Sequence, residues 1–189
     1  MSHYTALLDA NVLYPAPLRD LLLQLAVTDM FHAKWTADIH REWIDALLEN
    51  EPHRSRVVLE RTRDLMDRST RDCLVTEYEY LIDSLTLPDP NDRHVLAAAI
   101  VGRCDVIVTY NLKDFPNEAL ASHGIEAQHP DEFLSNHLNL APGIFCSSVQ
   151  KVRHRLKNPP YNVDQYLENL MERGLVATVA ELRTFAQLL

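Results

Sequence analysis

Short apolar runs alternate with helically spaced apolar positions along the first two thirds of the chain. Residues 4–8 (YTALL) form an apolar run that leaves no room for a helix before two prolines, and residues 106–110 (VIVTY) form a β-branched run. Both runs predict buried strands. Residues 73–75 and the segment opened by Gly124 predict two further short strands.

Helical periodicity fills the segments between these runs. Apolar residues repeat at helical spacing over residues 18–30, and Thr36 stands at the N-cap position before a second helical pattern at 37–50. The pattern predicts further helical segments in four places: an arginine-rich helix ending near Ser69, turns at 79–85, a helix of small residues at 94–104 and a short helix after the turn-prone segment 111–120. Small residues indicate close packing.

The alternation of strands and helices predicts an α/β fold. Its simplest form is a parallel sheet covered by helices on both faces. After Phe133 the pattern becomes helical without strands, at residues 142–156, 161–173 and 175–189. The sequence therefore predicts two parts, an α/β domain at 1–134 and a C-terminal helical extension at 135–189.

Composition places the chain among ordinary globular proteins. Of its 189 residues, 47% are hydrophobic and 24% are charged. Its three cysteines are isolated, which argues against a disulfide framework and a thiolate metal site and favours a reducing cytoplasm. Asp9 interrupts any signal peptide, and the longest uncharged stretch, 133–150, contains proline and glycine. We therefore expect neither secretion nor a membrane span.

The net charge of −9 is unevenly distributed. Residues 1–134 carry 12 basic and 23 acidic side chains, whereas residues 135–189 carry 6 basic and 4 acidic ones. Basic residues concentrate in two clusters, at 54–71 and 151–157, and either cluster could face a polyanion. The alternative for the first cluster is a solvated helix face, paired with Glu60, Asp64 and Asp67.

Acidic residues occur at four distant places where loops or helix starts are predicted: Asp9, Glu42, the pair Asp89 and Asp92, and Asp114. In parallel sheets the ligand site lies beyond the carboxyl ends of the strands, where Asp9 and residues 109–111 are predicted to lie. Several carboxylates in one cleft repel one another unless a cation is bound. Since Mg²⁺ and Mn²⁺ prefer oxygen ligands, the pattern predicts a site for one of them.

Each acid also has a purely structural interpretation. Asp9 and Asp114 could stabilise turns, and Asp89 could begin the turn before Pro90. Asp92 could cap the following helix. Glu42 could be solvated, although it borders the apolar stripe of its helix, where a carboxylate needs a partner.

Four segments resemble the PIN-domain ribonucleases, in particular the VapC-type toxins of bacterial toxin–antitoxin pairs. They are LLDANVLY, TADIHREW, DPNDRHVLAAAI and VIVTYNLKDF, and the resemblance spans about residues 4–134. It implies a PIN-like nuclease domain that uses Mg²⁺ or Mn²⁺ to cleave RNA. It also implies that Asp9, Glu42 and Asp92 are the catalytic and metal-binding acids, with Asn11 and Thr109 as supporting polar residues.

The chain departs from this family at Asn111, where many relatives have an aspartate. Because asparagine carries no charge, this substitution argues against a second tightly bound cation unless Asp114 supplies the missing charge. Asp89 is a further candidate supporting acid. A non-catalytic PIN-fold module that binds RNA or protein is therefore an alternative. A phosphoacceptor signalling domain is a lesser one, since Asp9 stands alone after the first strand.

The resemblance also implies partners. These are an RNA substrate, a small antitoxin bound near the acidic cleft or along the arginine-rich helix, and a second copy of the chain in a homodimer. Candidate RNA contacts come from the two basic clusters: Arg54, Arg61, Lys151, Arg153 and Arg155.

Overall fold

A four-stranded parallel sheet is the centre of the computed structural model, which describes residues 4–189. Every neighbouring pair of strands is parallel, and the strand order is β2-β1-β3-β4. The carboxyl ends of all four strands therefore lie along one edge. The strands are β1 (Thr5–Leu8), β2 (His32–Lys34), β3 (Val106–Val108) and β4 (Glu126–Gln128).

Helices connect the strands and cover the sheet on both faces. Because crossovers between parallel strands are right-handed, the order β2-β1-β3 puts the helices before β2 on one face and those between β2 and β3 on the other. The predicted α/β fold is confirmed. The helices of this part are α1 (Ala10–Leu13), α2 (Ala16–Val27), α3 (Ala37–Asn50), α4 (Arg56–Ser69), α5 (Glu79–Ile82), α6 (Arg93–Val101) and α7 (Asn117–Leu120).

The two central strands and α6 form the core that supports the carboxyl edge. Leu7, Leu8 and the whole of β3 are buried, as are the three alanines at 97–99 of α6. The close packing that small residues indicated is confirmed at Gly102. A Cβ there would lie 2.9 Å from the Ala98 carbonyl oxygen and 3.0 Å from Val75 Cγ2.

The C-terminal helices pack on the α/β part. They are α8 (Pro130–Leu140), α9 (Pro142–Arg155), α10 (Val163–Met171) and α11 (Val176–Thr184). The Asp131 carboxylate in α8 accepts hydrogen bonds from the backbone N–H groups of Ala177 and Thr178, at 2.8 Å each. It thereby caps the first turn of α11. Within residues 4–189, no helix is both long enough and apolar enough to cross a bilayer.

Several local predictions differ from the structure. Strand β2 and helices α1 and α8 were not expected, and the strand predicted at 73–75 supplies only an isolated bridge between Leu74 and Trp35. Both β2 and α1 are too short to show a period. Helix α8 runs through residues 134 and 135, so the division of the chain at that point stays a prediction.

Candidate active site

Asp9 is the most constrained acid at the carboxyl edge of the sheet. It follows β1 directly and is only 6% exposed. Its Oδ1 accepts a hydrogen bond from Ala10 N at 2.7 Å, while its Oδ2 accepts from Asn11 Nδ2 and Thr109 Oγ1, both at 2.7 Å. Three donors therefore fix the carboxylate, and Oδ1 keeps a lone pair for a further partner.

Asn11 and Thr109 join the ends of β1 and β3. The buried Thr109 hydroxyl accepts from Asn11 Nδ2 at 2.9 Å and from Asn111 N at 3.0 Å. Asn11 Oδ1 in turn accepts from Tyr110 N at 3.1 Å. The structure thus brings both predicted supporting residues onto Asp9.

Glu42 on α3 faces His94 on α6. His94 Nε2 lies 2.8 Å from Glu42 Oε1, and the Glu42 side chain is 43% exposed. Burial lowers the pKa of His94, but the charges of Glu42, Asp38 and Asp9 outweigh it and raise that pKa overall. The partner that a carboxylate at the border of the apolar stripe needs is therefore His94.

Asp92 is the acid whose environment is least compensated. Burial raises its pKa to about 6, with further increases from the carboxylates of Asp9, Asp89 and Asp114 and a smaller opposing effect of His94. Burial also raises the pKa of Asp9, although its bonds from Thr109 and Ala10 oppose this shift. Five acids thus influence one another with one histidine among them, and we call Asp9, Glu42, Asp89, Asp92 and Asp114 the acidic cluster.

The acidic cluster fits a hard divalent cation, because its ligand atoms are carboxylate oxygens and its negative charges outnumber the positive charges around them. Within residues 4–189, however, no three His, Cys, Asp or Glu side chains are arranged to hold an ion as they stand. Glu42 is turned to His94, and Asp89 Oδ1 accepts from Asn91 N at 2.9 Å. The joint ligation by Asp9, Glu42 and Asp92 stays a prediction.

Replacing Asp92 by Asn should stabilise the metal-free protein at pH 7. The folded-state pKa of about 6 lies above the ordinary value of 3.8, so the folded state binds the extra proton between these values and stability falls as pH rises through them. Above pH 6 the full penalty is present, roughly 1 kcal/mol after screening by solvent. Thermal unfolding at pH 7 should therefore show a Tm gain for Asp92→Asn that is nearly absent at pH 4.

Asp83→Asn is the matched control, because Asp83 is exposed at the end of α5. An equal gain in both variants would contradict the charge argument.

The remaining predicted polar residues lie at the margin of the cluster. Asn111 is exposed, and its backbone carbonyl accepts from Asp114 N at 3.0 Å in a single 3-10 turn. Asp114 is half-buried and acts electrostatically on Asp92. Asn111 therefore adds no charge to the cluster, and Asp114 does.

The five basic candidates differ in how much they are already bound. Arg54 Nε lies 2.8 Å from Glu51 Oε2, and Arg155 Nη2 donates to Gln24 Oε1 at 2.5 Å. Arg153 donates to the carbonyl oxygens of Tyr161 and Leu189. Arg61 and Lys151 are exposed and form no ion pair within residues 4–189, which leaves these two free for a polyanion.

A buried polar network supports α3 behind Glu42. Trp43 Nε1 donates to His40 Nδ1 at 2.9 Å, so the neutral ring carries its proton on Nε2, 3.0 Å from Asp67 Oδ1. Burial lowers the pKa of His40, in keeping with the neutral form. The Arg19 guanidinium lies 4.8 Å from the Trp43 ring centroid, and its Nη1 donates to the Leu13 carbonyl at the end of α1.

Sequence reasoning missed the partners of the acids. His94 stands two residues after Asp92, and that proximity to a predicted ligand was an available signal. No local signal linked Tyr110 to Asn11 or Arg19 to Trp43. These contacts depend on the crossover connections.

Two family profiles and one curated relative match parts of the chain. A family profile described as "PIN domain" matches residues 5–113, and one described as "VapC50 C-terminal domain" matches residues 130–184. The chain is 42% identical over 82 residues to a protein of Mycobacterium tuberculosis (strain ATCC 25618 / H37Rv) named "Putative ribonuclease VapC50". This match covers 43% of the chain and 48% of the relative, so it spans about half of the relative's length. No solved structure matches the chain significantly.

Proposed function

The chain belongs to the PIN-domain family, and from that premise we propose that it is a divalent-metal-dependent endoribonuclease of the VapC type, which hydrolyses RNA phosphodiester bonds. The observation that carries this proposal is the acidic cluster at the carboxyl edge of β1 and β3. Burial raises the pKa of Asp92 in this cluster to about 6, and the carboxylates of Asp9, Asp89 and Asp114 add to that increase. Such a cluster calls for a cation, and a cation there attracts phosphate.

We assign the ion, Mg²⁺ or Mn²⁺, to Asp9, Asp92 and Glu42. The chemistry that it supplies when bound is polarisation of a phosphodiester oxygen and activation of water as the nucleophile. The water oxygen bonds to phosphorus while the bond from phosphorus to the 3′ oxygen breaks. The attacking water gives up a proton, the 3′ oxygen leaves with one, and the phosphate stays on the 5′ oxygen of the downstream nucleotide.

The protein's own residues supply orientation and charge. Asn11 and Thr109 donate hydrogen bonds to Asp9 Oδ2, and Ala10 N donates one to Oδ1. One lone pair of Oδ1 therefore stays available for the ion. His94 holds one oxygen of Glu42, and the other orients the attacking water or completes the ion's ligands. We place Asn111, Asp114 and Asp89 around this centre as weaker polar groups.

Cleavage of a single-stranded RNA by the purified chain tests the proposal. We expect cleavage with Mg²⁺ or Mn²⁺ that stops on chelation and resumes when the ion is restored. If the chain binds RNA but does not cut it with either ion, it is instead a non-catalytic PIN-fold module. This is the second candidate, which the asparagine at position 111 suggests.

Arg61 and Lys151 should contribute to RNA binding through phosphate contacts. Each Arg61→Ala or Lys151→Ala change should weaken binding and lower the slope of log K against log salt by roughly 0.7, the value for one single-strand phosphate contact. Fluorescence anisotropy of a labelled RNA over a KCl series measures both effects. Arg103→Gln, at the amino end of β3, should change neither. Slopes identical in all proteins would remove both residues from the interface.

The partners follow from the same proposal. Helix α4 exposes Val57 (73%), Val58 (61%) and Leu65 (55%), an apolar surface that suits a small antitoxin. We propose that such an antitoxin restrains the nuclease in the cytoplasm. Changing these three residues to Ser should release a co-purified antitoxin. If the same changes instead convert a dimer of the chain alone into a monomer, the surface belongs to a homodimer.

A further inference from the structure

Tyr110 connects the candidate active site with the C-terminal helices. It lies between Thr109 and Asn111, at the carboxyl edge of the sheet. Its hydroxyl donates to the Arg173 carbonyl oxygen at 2.6 Å, and this bond joins residues 63 positions apart. At its other end, Tyr110 N donates to Asn11 Oδ1 at 3.1 Å. One residue therefore touches both the network around Asp9 and the end of α10.

The acceptor of the tyrosine hydroxyl belongs to a rigid helix end. Gly174 N donates to the Met171 carbonyl at 2.9 Å and Leu175 N to the Leu170 carbonyl at 3.3 Å, the two bonds of a Schellman motif. Gly174 has φ +79, which a residue with a side chain adopts only under strain. The Arg173 carbonyl thus projects from the last turn in a defined direction.

The donor side is equally constrained. The Tyr110 ring packs edge-on against His129, with 5.0 Å between ring centroids at an angle of 80°. Burial raises the pKa of Tyr110 to about 12, so the hydroxyl keeps its proton at physiological pH. It therefore remains a hydrogen-bond donor.

Contacts other than the Tyr110 bond hold α11, which follows Arg173 in the chain, on α8. Asp131 caps α11 through Ala177 and Thr178, and Glu181 Oε1 accepts from Ser135 Oγ at 2.8 Å. These bonds hold the C-terminal helices together without the tyrosine. The bond from Tyr110 consequently fixes the loop after β3 to the extension.

We propose that Tyr110 is a positioning residue, through which the C-terminal extension holds Asn11 and thereby the Asp9 carboxylate. Three successive hydrogen bonds carry the effect, from the Arg173 carbonyl to Tyr110, from Tyr110 N to Asn11 Oδ1, and from Asn11 Nδ2 to Asp9 Oδ2. The catalytic consequence rests on the proposed nuclease function. The mechanical consequence does not.

Tyr110→Phe tests the proposal, because it keeps the ring against His129 and removes only the hydroxyl. We expect kcat for RNA cleavage to fall by roughly 10-fold with KM nearly unchanged, the size of effect typical of groups behind a metal ligand. Calorimetric titration with Mn²⁺ in the absence of RNA should show several-fold weaker binding. Amide hydrogen exchange at Tyr110 and Asn111 should be faster than in the wild type.

Tyr4→Phe is the matched control, since Tyr4 also donates a 2.6 Å bond, to Glu126 Oε1 at the amino end of the sheet. It should cost similar stability and leave kcat, Mn²⁺ affinity and exchange at 110 and 111 unchanged. Gly174→Ala is a second variant, which displaces the acceptor instead of removing the donor. It should reproduce the Tyr110→Phe pattern.

The outcomes separate the two proposals. If Tyr110→Phe matches Tyr4→Phe in cleavage, Mn²⁺ affinity and exchange, the positioning role is wrong. If the wild type neither binds Mn²⁺ nor cleaves RNA, the proposed nuclease function fails. Faster exchange in Tyr110→Phe would then still support the mechanical link, and unchanged exchange would overturn it.

Discussion

Replacing Asp9 by Asn should reduce RNA cleavage by roughly 100-fold or more, because even the groups behind a metal ligand are typically worth about 10–100-fold. The change removes one charge from the acidic cluster. It also disturbs the hydrogen bonds, because Ala10 N donates to Oδ1 while Asn11 and Thr109 donate to Oδ2. An amide has one acceptor oxygen, so either orientation puts its NH₂ group opposite an N–H donor.

Single-turnover cleavage of a labelled RNA with saturating Mn²⁺ measures this loss, and calorimetry should show weaker Mn²⁺ binding. Thr109→Val is the matched control. It breaks the same hydrogen-bond network, at Thr109 Oγ1, but leaves the Asp9 charge in place. If Asp9→Asn loses no more activity than Thr109→Val, charge at Asp9 is not what the reaction needs. Undiminished cleavage by Asp9→Asn would end the assignment of the active site.

The largest expected effect on stability is that of Trp43→Ala, a loss of about 3–5 kcal/mol. Trp43 is fully buried in α3, immediately after Glu42. Its removal leaves a cavity, deprives His40 Nδ1 of its donor at 2.9 Å and removes the ring on which Arg19 lies. Arg19 is itself buried and binds the Leu13 carbonyl, so α1 would lose part of its support.

Urea denaturation of the metal-free protein measures the change, and a Tm drop of roughly 6–20 °C should accompany it in a domain of this size. Trp43→Phe keeps most of the apolar volume and loses the indole N–H, so it should cost much less. A loss below about 1 kcal/mol for Trp43→Ala would contradict the view that this side chain holds α1 and α3 together.

Stability and function oppose each other at Asp92. Its charge is unfavourable in the folded metal-free protein, since burial and the neighbouring carboxylates raise its pKa to about 6. The proposed function requires this charge for the ion. A site that destabilises the fold until its ligand binds is a common arrangement in enzymes.

The sequence by itself determined the elements that have a clear period, and it named candidate acids whose role in the reaction stays a prediction. Helix α3 begins and ends where its N-cap and apolar spacing predicted, and β1 and β3 lie within the predicted apolar runs. The local patterns offered Asp9, Glu42, Asp89, Asp92 and Asp114 as candidates, and the resemblance to PIN-domain ribonucleases selected Asp9, Glu42 and Asp92 from among them. The parallel sheet followed from the alternation of strands and helices.

Only the tertiary structure decided which side chains meet those acids. His94 on α6 contacts Glu42 on α3, and Tyr110 joins Asn11 to the C-terminal extension. Strand β2 exists because it pairs with β1, since three residues carry no period of their own. The physical reason is common to all three cases. A local pattern reports how a segment buries its own apolar face, whereas a hydrogen bond between distant segments depends on register and crossover, which no single segment encodes.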